Sequence, residues 1–313
     1  MLSMVDSSAG ESTATTGHIP EGDDMTDVSV LDNYPQAATG MEKLEAYMLS
    51  LPQVSCSVYH RFGVGIYIRE IHIPAGAICV GHYQKHAHNN VFLKGRVLMM
   101  QEDGIIDMQA PMFYVGTEGR KVGMAIEDVV WQNIYVTDET DVEKLEAIFL
   151  DKSDFASVFI EKEHIDRVMS HQKDREDFEK LLLEIGMTKE DVRKQYETTT
   201  DRMEMPIGSY PFKVGKSSIE GDGIIATADI SAGTVIGMAL LNGRRTPLGR
   251  FCNHSLNANA EYQVINGNDL ILVSLEDING CRGGIDGDEI TVNYRDVLAL
   301  TNKMREDRLC QQQ

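Results

Sequence analysis

The chain is short of cations: 29 Lys and Arg stand against 49 Asp and Glu, a formal charge of −20. Phosphate backbones are held by clustered Lys and Arg, so this balance argues against a nucleic-acid partner. It suits attraction to basic peptides, as far as net charge speaks to partners at all. Cysteine is also scarce. The five residues, at positions 56, 79, 252, 281 and 310, include no C-x-x-C pair. An odd, scattered set reads as a reduced cytoplasmic chain, not a disulfide framework. No run reaches the roughly 18 apolar residues of a membrane span, so no membrane partner is expected. The opening MLSMVDSSAGES lacks the basic flank and apolar stretch of a secretory signal.

What is present fits two domains. A length of 313 residues at 42% hydrophobic can bury a sizeable core in each. Residues 1–38 carry seven acids (Asp6, Glu11, Glu21, Asp23, Asp24, Asp27 and Asp32) and no Lys or Arg. Such a segment cannot bury enough apolar surface to offset chain entropy, and a flexible acidic tail is expected there. A short helix over 41–51 places Leu44 and Met48 on one face. Strand-like pieces follow at 64–73, 77–83, 91–100, 112–115, 123–126 and 130–136. They are separated by the turn signals Pro74-Ala75-Gly76, His88-Asn89-Asn90, Glu102-Asp103-Gly104 and Gly116-Thr117-Glu118-Gly119. Short strands at this spacing predict a β-sandwich or barrel, closed by a helix over 140–149. The domain therefore spans 39–150.

Residues 151–205 are helical in period. Phe178, Leu181, Leu182 and Ile185 fall on one face, Gly186 ends that helix, and Thr188-Lys189-Glu190-Asp191 opens the next with a capping-box pattern. The remaining positions are strongly charged, which predicts a solvated connector, with a dimer-forming hairpin as the alternative use. A last domain covers 206–296, and a helix with a fraying Gln-rich end covers 297–313. The fold class is mainly β with a helical connector.

The densest chemistry lies in the last domain. Arg250 to Glu261 reads RFCNHSLNANAE, with five polar side chains (Asn253, His254, Ser255, Asn257 and Asn259) in seven positions. Asn and Ser bond to their own backbone and favour irregular turns. Further on, Gly287 to Tyr294 reads GDEITVNY, and upstream Gly221-Asp222-Gly223-Ile224-Ile225-Ala226-Thr227-Ala228-Asp229-Ile230 precedes Ala232-Gly233-Thr234-Val235-Ile236-Gly237. Three motifs in this order resemble the SET-domain protein lysine methyltransferases, over residues about 206–296.

The resemblance implies a minimal SET-like β fold and an S-adenosylmethionine cofactor. It implies a protein or peptide lysine as substrate, Tyr294 as the catalytic residue, and Gly221, Gly223, Asn253 and His254 at the cofactor. The sequence departs from that family in places. Only twelve residues separate Gly237 from Arg250 where many members carry a longer insert, which implies weak peptide binding or slow turnover. Leu256 and Ala258 replace the frequent Cys and Pro of the block. The segment Asn279-Gly280-Cys281-Arg282-Gly283-Gly284-Ile285-Asp286 looks inserted. With Cys310 as the tail's single cysteine, no zinc cluster can form there.

Earlier in the chain, Gly81-His82-Tyr83-Gln84-Lys85-His86-Ala87-His88, with Gly95 beyond, resembles the first motif of the cupin family, a jelly-roll barrel, over residues about 53–137. On a strand, His86 and His88 would share a face and offer two ligands to a divalent metal. The family's glutamate and third histidine have no counterpart. The likeness also allows a homo-oligomer. Two other readings stand beside methyl transfer: a non-catalytic structural or interaction protein retaining both folds, and a cupin-type metal or small-ligand binding protein.

Overall fold

The computed structural model describes residues 3–6, 40–101 and 104–311. Most of the expected acidic tail, residues 7–38, lies outside them. Ser3–Asp6 forms an edge strand against Ala77–Val80.

Two antiparallel sheets build the first body. One orders Ser3–Asp6, Ala77–Val80, Val122–Ala125, Arg96–Gln101 and Gly104–Gln109. The other orders Gly208–Tyr210, Val58–Gly63, Ile66–Ile73, Val129–Val136, His88–Lys94 and Met112–Gly116. Their facing sides bury Val58, Ile71, Ile73, Phe92, Val97 and Val129. Burying apolar area on facing sheet sides is the main force closing such a structure.

The segment 91–100, expected as one strand, is two. Gly95, at φ 95°, breaks it, and a Cβ there would sit 2.4 Å from the carbonyl oxygen of Asp128. Only glycine allows that turn and approach together, and the chain crosses from one sheet to the other at this point. His88-Asn89-Asn90, expected as a turn, instead opens the strand His88–Lys94. The Asn90 side chain is buried, and its Oδ1 accepts from Trp131 Nε1 at 2.9 Å and Asn133 Nδ2 at 2.8 Å. Those bonds satisfy the amide inside the sheet, where a turn would have left it to solvent.

Helix α1, Gly40–Leu49, precedes the barrel. Helix α2, Val142–Phe149, closes it, starting from Asp141, whose carboxylate accepts from the backbone of Glu143 and Lys144. Helices α3 (Asp154–Ser170), α4 (Gln172–Ile185) and α5 (Lys189–Glu197) follow. The expected stop at Gly186 and the Thr188–Asp191 capping box are both present.

Two four-stranded sheets make the second body. One orders Phe212–Lys216, Asp222–Ala226, Glu289–Val292 and Asn253–His254; the other orders Arg244–Arg245, Val235–Leu241, Asp269–Ser274 and Ala260–Ile265. Short helix α6, Pro247–Phe251, leads into Asn253, and α7 spans Tyr294–Gln311. Ile224, Leu248, Leu272 and Ile290 lie fully buried at the centre.

The two bodies share backbone. Gly208–Tyr210 extends the first body's six-stranded sheet by pairing with Val58–Gly63. Thr227 accepts from the N–H of Val58 at 2.7 Å and returns a bond from Oγ1 to its carbonyl at 2.6 Å. The segment 279–286 docks on this joint: the Cys281 thiol donates to the carbonyl of Cys56 at 2.8 Å. From α3, Arg167 donates to the carbonyls of Asp286 and Gly287. No helix among the described residues is long and apolar enough to cross a membrane.

Candidate functional sites

The first site forms where two separate motifs run side by side. Asn253–His254 pairs in parallel with Thr291–Val292, which sets the polar turn beside the strand Glu289–Val292 that leads into Tyr294 at the start of α7. Asn259 stitches the two together. Its Nδ2 donates to the Glu289 carbonyl at 2.9 Å and its Oδ1 accepts from the Thr291 N–H at 2.8 Å, replacing ladder bonds that a neighbouring strand would have made.

His254 is buried and held from both edges. Nδ1 accepts the backbone N–H of Tyr294 at 3.1 Å, so the ring hydrogen resides on Nε2, which lies 2.9 Å from an Asp177 oxygen on α4. The same oxygen meets Arg295 at 2.7 Å. The Tyr294 phenol donates to the carbonyl of Cys252 at 3.0 Å. Burial raises its pKa well above the ordinary value, helped by Cys252 and Glu289, so the hydroxyl stays neutral at physiological pH. Burial likewise pushes the Cys252 thiol up to about 12, which leaves it unreactive as a nucleophile.

Asn253 anchors the turn Ser217–Asp222. Its Nδ2 lies 2.9 Å from Ser217 Oγ, 3.0 Å from the carbonyls of Glu220 and Asp222, and 2.9 Å from Glu289 Oε1. Glu289 is buried. Its carboxylate accepts from the Ser217 hydroxyl at 2.7 Å, the Ser218 N–H at 3.1 Å and the Ser218 hydroxyl at 3.2 Å.

Gly221, Asn253, His254 and Tyr294 all line one cavity of about 580 Å³. Gly223 does not. A Cβ on it would lie 2.4 Å from Glu289 Oε1, so its missing side chain makes room for that carboxylate and brings no ligand closer.

The cavity's remaining walls come from the helices. Phe178, Leu181, Leu182 and Ile185 of α4 face Val297 and Leu298 of α7, with Tyr196 of α5 at one side. The apolar stripe read as part of a solvated connector is therefore a cavity wall. Asp174 adds an anchor, accepting from the Ser255 hydroxyl at 3.0 Å and the Leu256 N–H at 2.9 Å. Sequence reading missed Asp174, Asp177 and Glu289 as site residues. Glu289 stood inside a quoted motif, whereas the two aspartates look like ordinary charges on a helix surface.

A second, smaller cavity of about 110 Å³ lies between the two sheets of the first body. His86 and His88 do not converge on it. His86 sits in a bend, exposed, with its ring edge-on to Phe149 at 6.3 Å. His88 lines the cavity, and its Nδ1 lies 3.0 Å from the carbonyl of His86. The bend interrupts the strand geometry that would have put both rings on one face. His82 lines the cavity instead. Among the described residues no three His, Cys, Asp or Glu side chains group as a metal site. The four described cysteines are free thiols.

No family model and no curated protein sequence matches the chain. Partial similarity to solved structures exists. A cupin protein from Bacteroides fragilis is 20% identical, with 24% of this chain and 69% of that chain covered at a TM-score of 0.20. A cupin-2 domain protein from Shewanella frigidimarina is 14% identical, with 30% and 91% covered at 0.22. Ectoine synthase from P. lautus is 15% identical, with 33% and 84% covered at 0.25. At such scores the reading of the first body as a barrel of two facing sheets rests on its own strand pairing and core.

Proposed function

We propose that the C-terminal body binds S-adenosylmethionine and transfers a methyl group to a lysine side chain of a protein substrate. One observation carries the reading. Gly221, Asn253, His254 and Tyr294, from three stretches far apart in sequence, line a single cavity with largely apolar walls. Its 580 Å³ lies within the range of small-molecule sites. Gly221 has a φ of 57° and nothing within 4 Å of where a Cβ would point, so backbone lies open to a ligand there. Gly221, Asn253 and His254 are the residues that would hold the cofactor, which supplies a methyl group on a sulfonium sulfur.

The protein's own part is positioning and desolvation. The neutral Tyr294 hydroxyl and the Cys252 carbonyl, 3.0 Å apart, are acceptors for the hydrogens of an entering amine. The walls from α4 and α7 exclude water, which favours the uncharged amine over the ammonium. Orienting a lone pair in this way lowers the barrier by several kcal/mol. The acidic surface favours a basic substrate segment. The test is transfer of a radiolabelled methyl group from S-adenosylmethionine to proteins of a lysate. Absence of both label and cofactor-binding heat would remove the reading.

A second reading has its own observation. The Asn253 amide nitrogen and both His254 ring nitrogens are already bonded within the protein. The polar turn would then be a structural joint in a non-catalytic body, and calorimetry with S-adenosylmethionine would be flat. A third, small-ligand binding in the barrel, is supported by the second cavity.

A further inference from the structure

We infer that the interior of the first body is a binding site for a small carboxylate. This deepens the small-ligand reading of the barrel and is independent of the C-terminal cavity.

The chain carries a formal charge of −20, yet no Asp or Glu lines the 110 Å³ cavity between the sheets. Two cations do, Arg69 and Lys121, together with the imidazoles of His82 and His88. Among the described residues no ion pair within 4.0 Å involves Arg69 or Lys121, although Arg61, Arg96 and Arg120 of the same body all have carboxylate partners. The largely buried Glu146 carboxylate on α2 acts on Arg69 through its field without an ion pair, and it lies 3.1 Å from Lys152. Positive charge lining a cavity of a strongly acidic protein, with no carboxylate among the lining residues, is arranged for an anion.

Unpartnered atoms point the same way. Arg69 Nε and both ring nitrogens of His82 are buried and make no hydrogen bond. His82 is 6% exposed. Buried polar groups are nearly always paired, and each exception calls for a specific explanation. Three at one small cavity mark a place where a ligand supplies the missing partners. Arg69 offers a planar donor edge of the kind that matches carboxylate geometry, and a neutral His82 adds one further N–H.

The rest of the lining sets the ligand's other end. Ile71, Ile73, Val97 and Met99 close the cavity with apolar surface, suited to a short hydrocarbon tail. The volume holds several waters or one small organic molecule. A metal finds only two imidazoles and no third ligand among the described residues.

Calorimetry on the full chain, with acetate, propionate, butyrate, propionamide, inorganic phosphate and Zn²⁺ as probes, tests this. Saturable binding of a short-chain carboxylate is expected, at least about tenfold tighter than propionamide, with the His82 ring nitrogens shifting in NMR spectra as ligand is added. Arg69→Gln should weaken that binding about tenfold or more. Should Arg69→Gln fail to fold, Lys121→Gln, at a less buried position, should weaken it in the same direction. Equal binding of propionamide, or tighter binding of phosphate or Zn²⁺, would overturn the carboxylate assignment while leaving a small-ligand barrel. Silence from every probe would remove both, and full carboxylate binding in Arg69→Gln would place the anion elsewhere.

Discussion

Asp177 lies 2.9 Å from Nε2 of His254, across 77 positions of sequence. Through that contact helix α4 is fastened to the polar turn, and the apolar face of the helix becomes the wall of the larger cavity. The Asp177→Asn substitution should keep a hydrogen bond and lose the charge shared with Arg295. Asp177→Ala should leave the His254 ring nitrogen unpaired, at a cost of roughly 1–3 kcal/mol. Urea unfolding of the two variants checks the ordering; equal stability to the parent protein would mean that α4 is not held by this contact.

Tyr294→Phe removes only the phenolic hydrogen bond to the Cys252 carbonyl. The expected stability loss is about 1 kcal/mol. Cofactor binding should persist while methyl transfer falls by two orders of magnitude or more, the order of a lost orienting group. Undiminished transfer would show that the phenol does not act on the reacting amine.

At Gly223 the added methyl of alanine meets Glu289 Oε1 at 2.4 Å and Ser217 Cβ at 3.1 Å. The carboxylate cannot swing aside without breaking its bonds to Ser217, Ser218 and Asn253. A loss of about 1–3 kcal/mol is expected, with the Ser217–Asp222 turn displaced and cofactor heat reduced. A melting temperature unchanged from the parent would mean that Glu289 has another place to go.

Acid should weaken the first body. Burial lowers the pKa of His60 from its ordinary value near 6.5 to about 3, and it lowers His82 and His88 as well. His60 is neutral when folded and takes up a proton when unfolded, with His82 and His88 shifted in the same direction, so the His60 contribution is complete above about pH 6.5. Below that it is lost progressively as pH falls toward 3. Chemical denaturation at pH 7.5 and pH 5 should show the lower stability at pH 5. His60→Gln should flatten that difference by its own share; an unchanged pH slope would exclude His60 as a contributor.

How much of this was legible in the sequence follows from what local patterns can carry. The motifs around Asn253 and Tyr294 were readable because each is a compact run, and both do line one cavity. The strand Val58–Gly63 was missed although Val58, His60 and Phe62 alternate inward, because a histidine occupies a core position. His82 stood in the quoted glycine–histidine stretch, but the two-apart spacing drew attention to His86, which a bend turns outward. Asp174 and Asp177 occur among many charges of α4, and nothing local distinguishes a helix charge that meets a histidine 77 positions away from one that meets water. Residue 206, where the motif resemblance placed the start of the last domain, is followed at once by a strand that belongs to the barrel's sheet.

That last strand bears on how the protein can be handled. Gly208–Tyr210 occupies the outer rim of Val58–Gly63. Cutting the gene just before it would strip the N-terminal fragment of its covering rung and expose a row of unsatisfied amides and carbonyls to neighbouring molecules. Such a fragment should clump, and one carried through Tyr210 should stay dispersed.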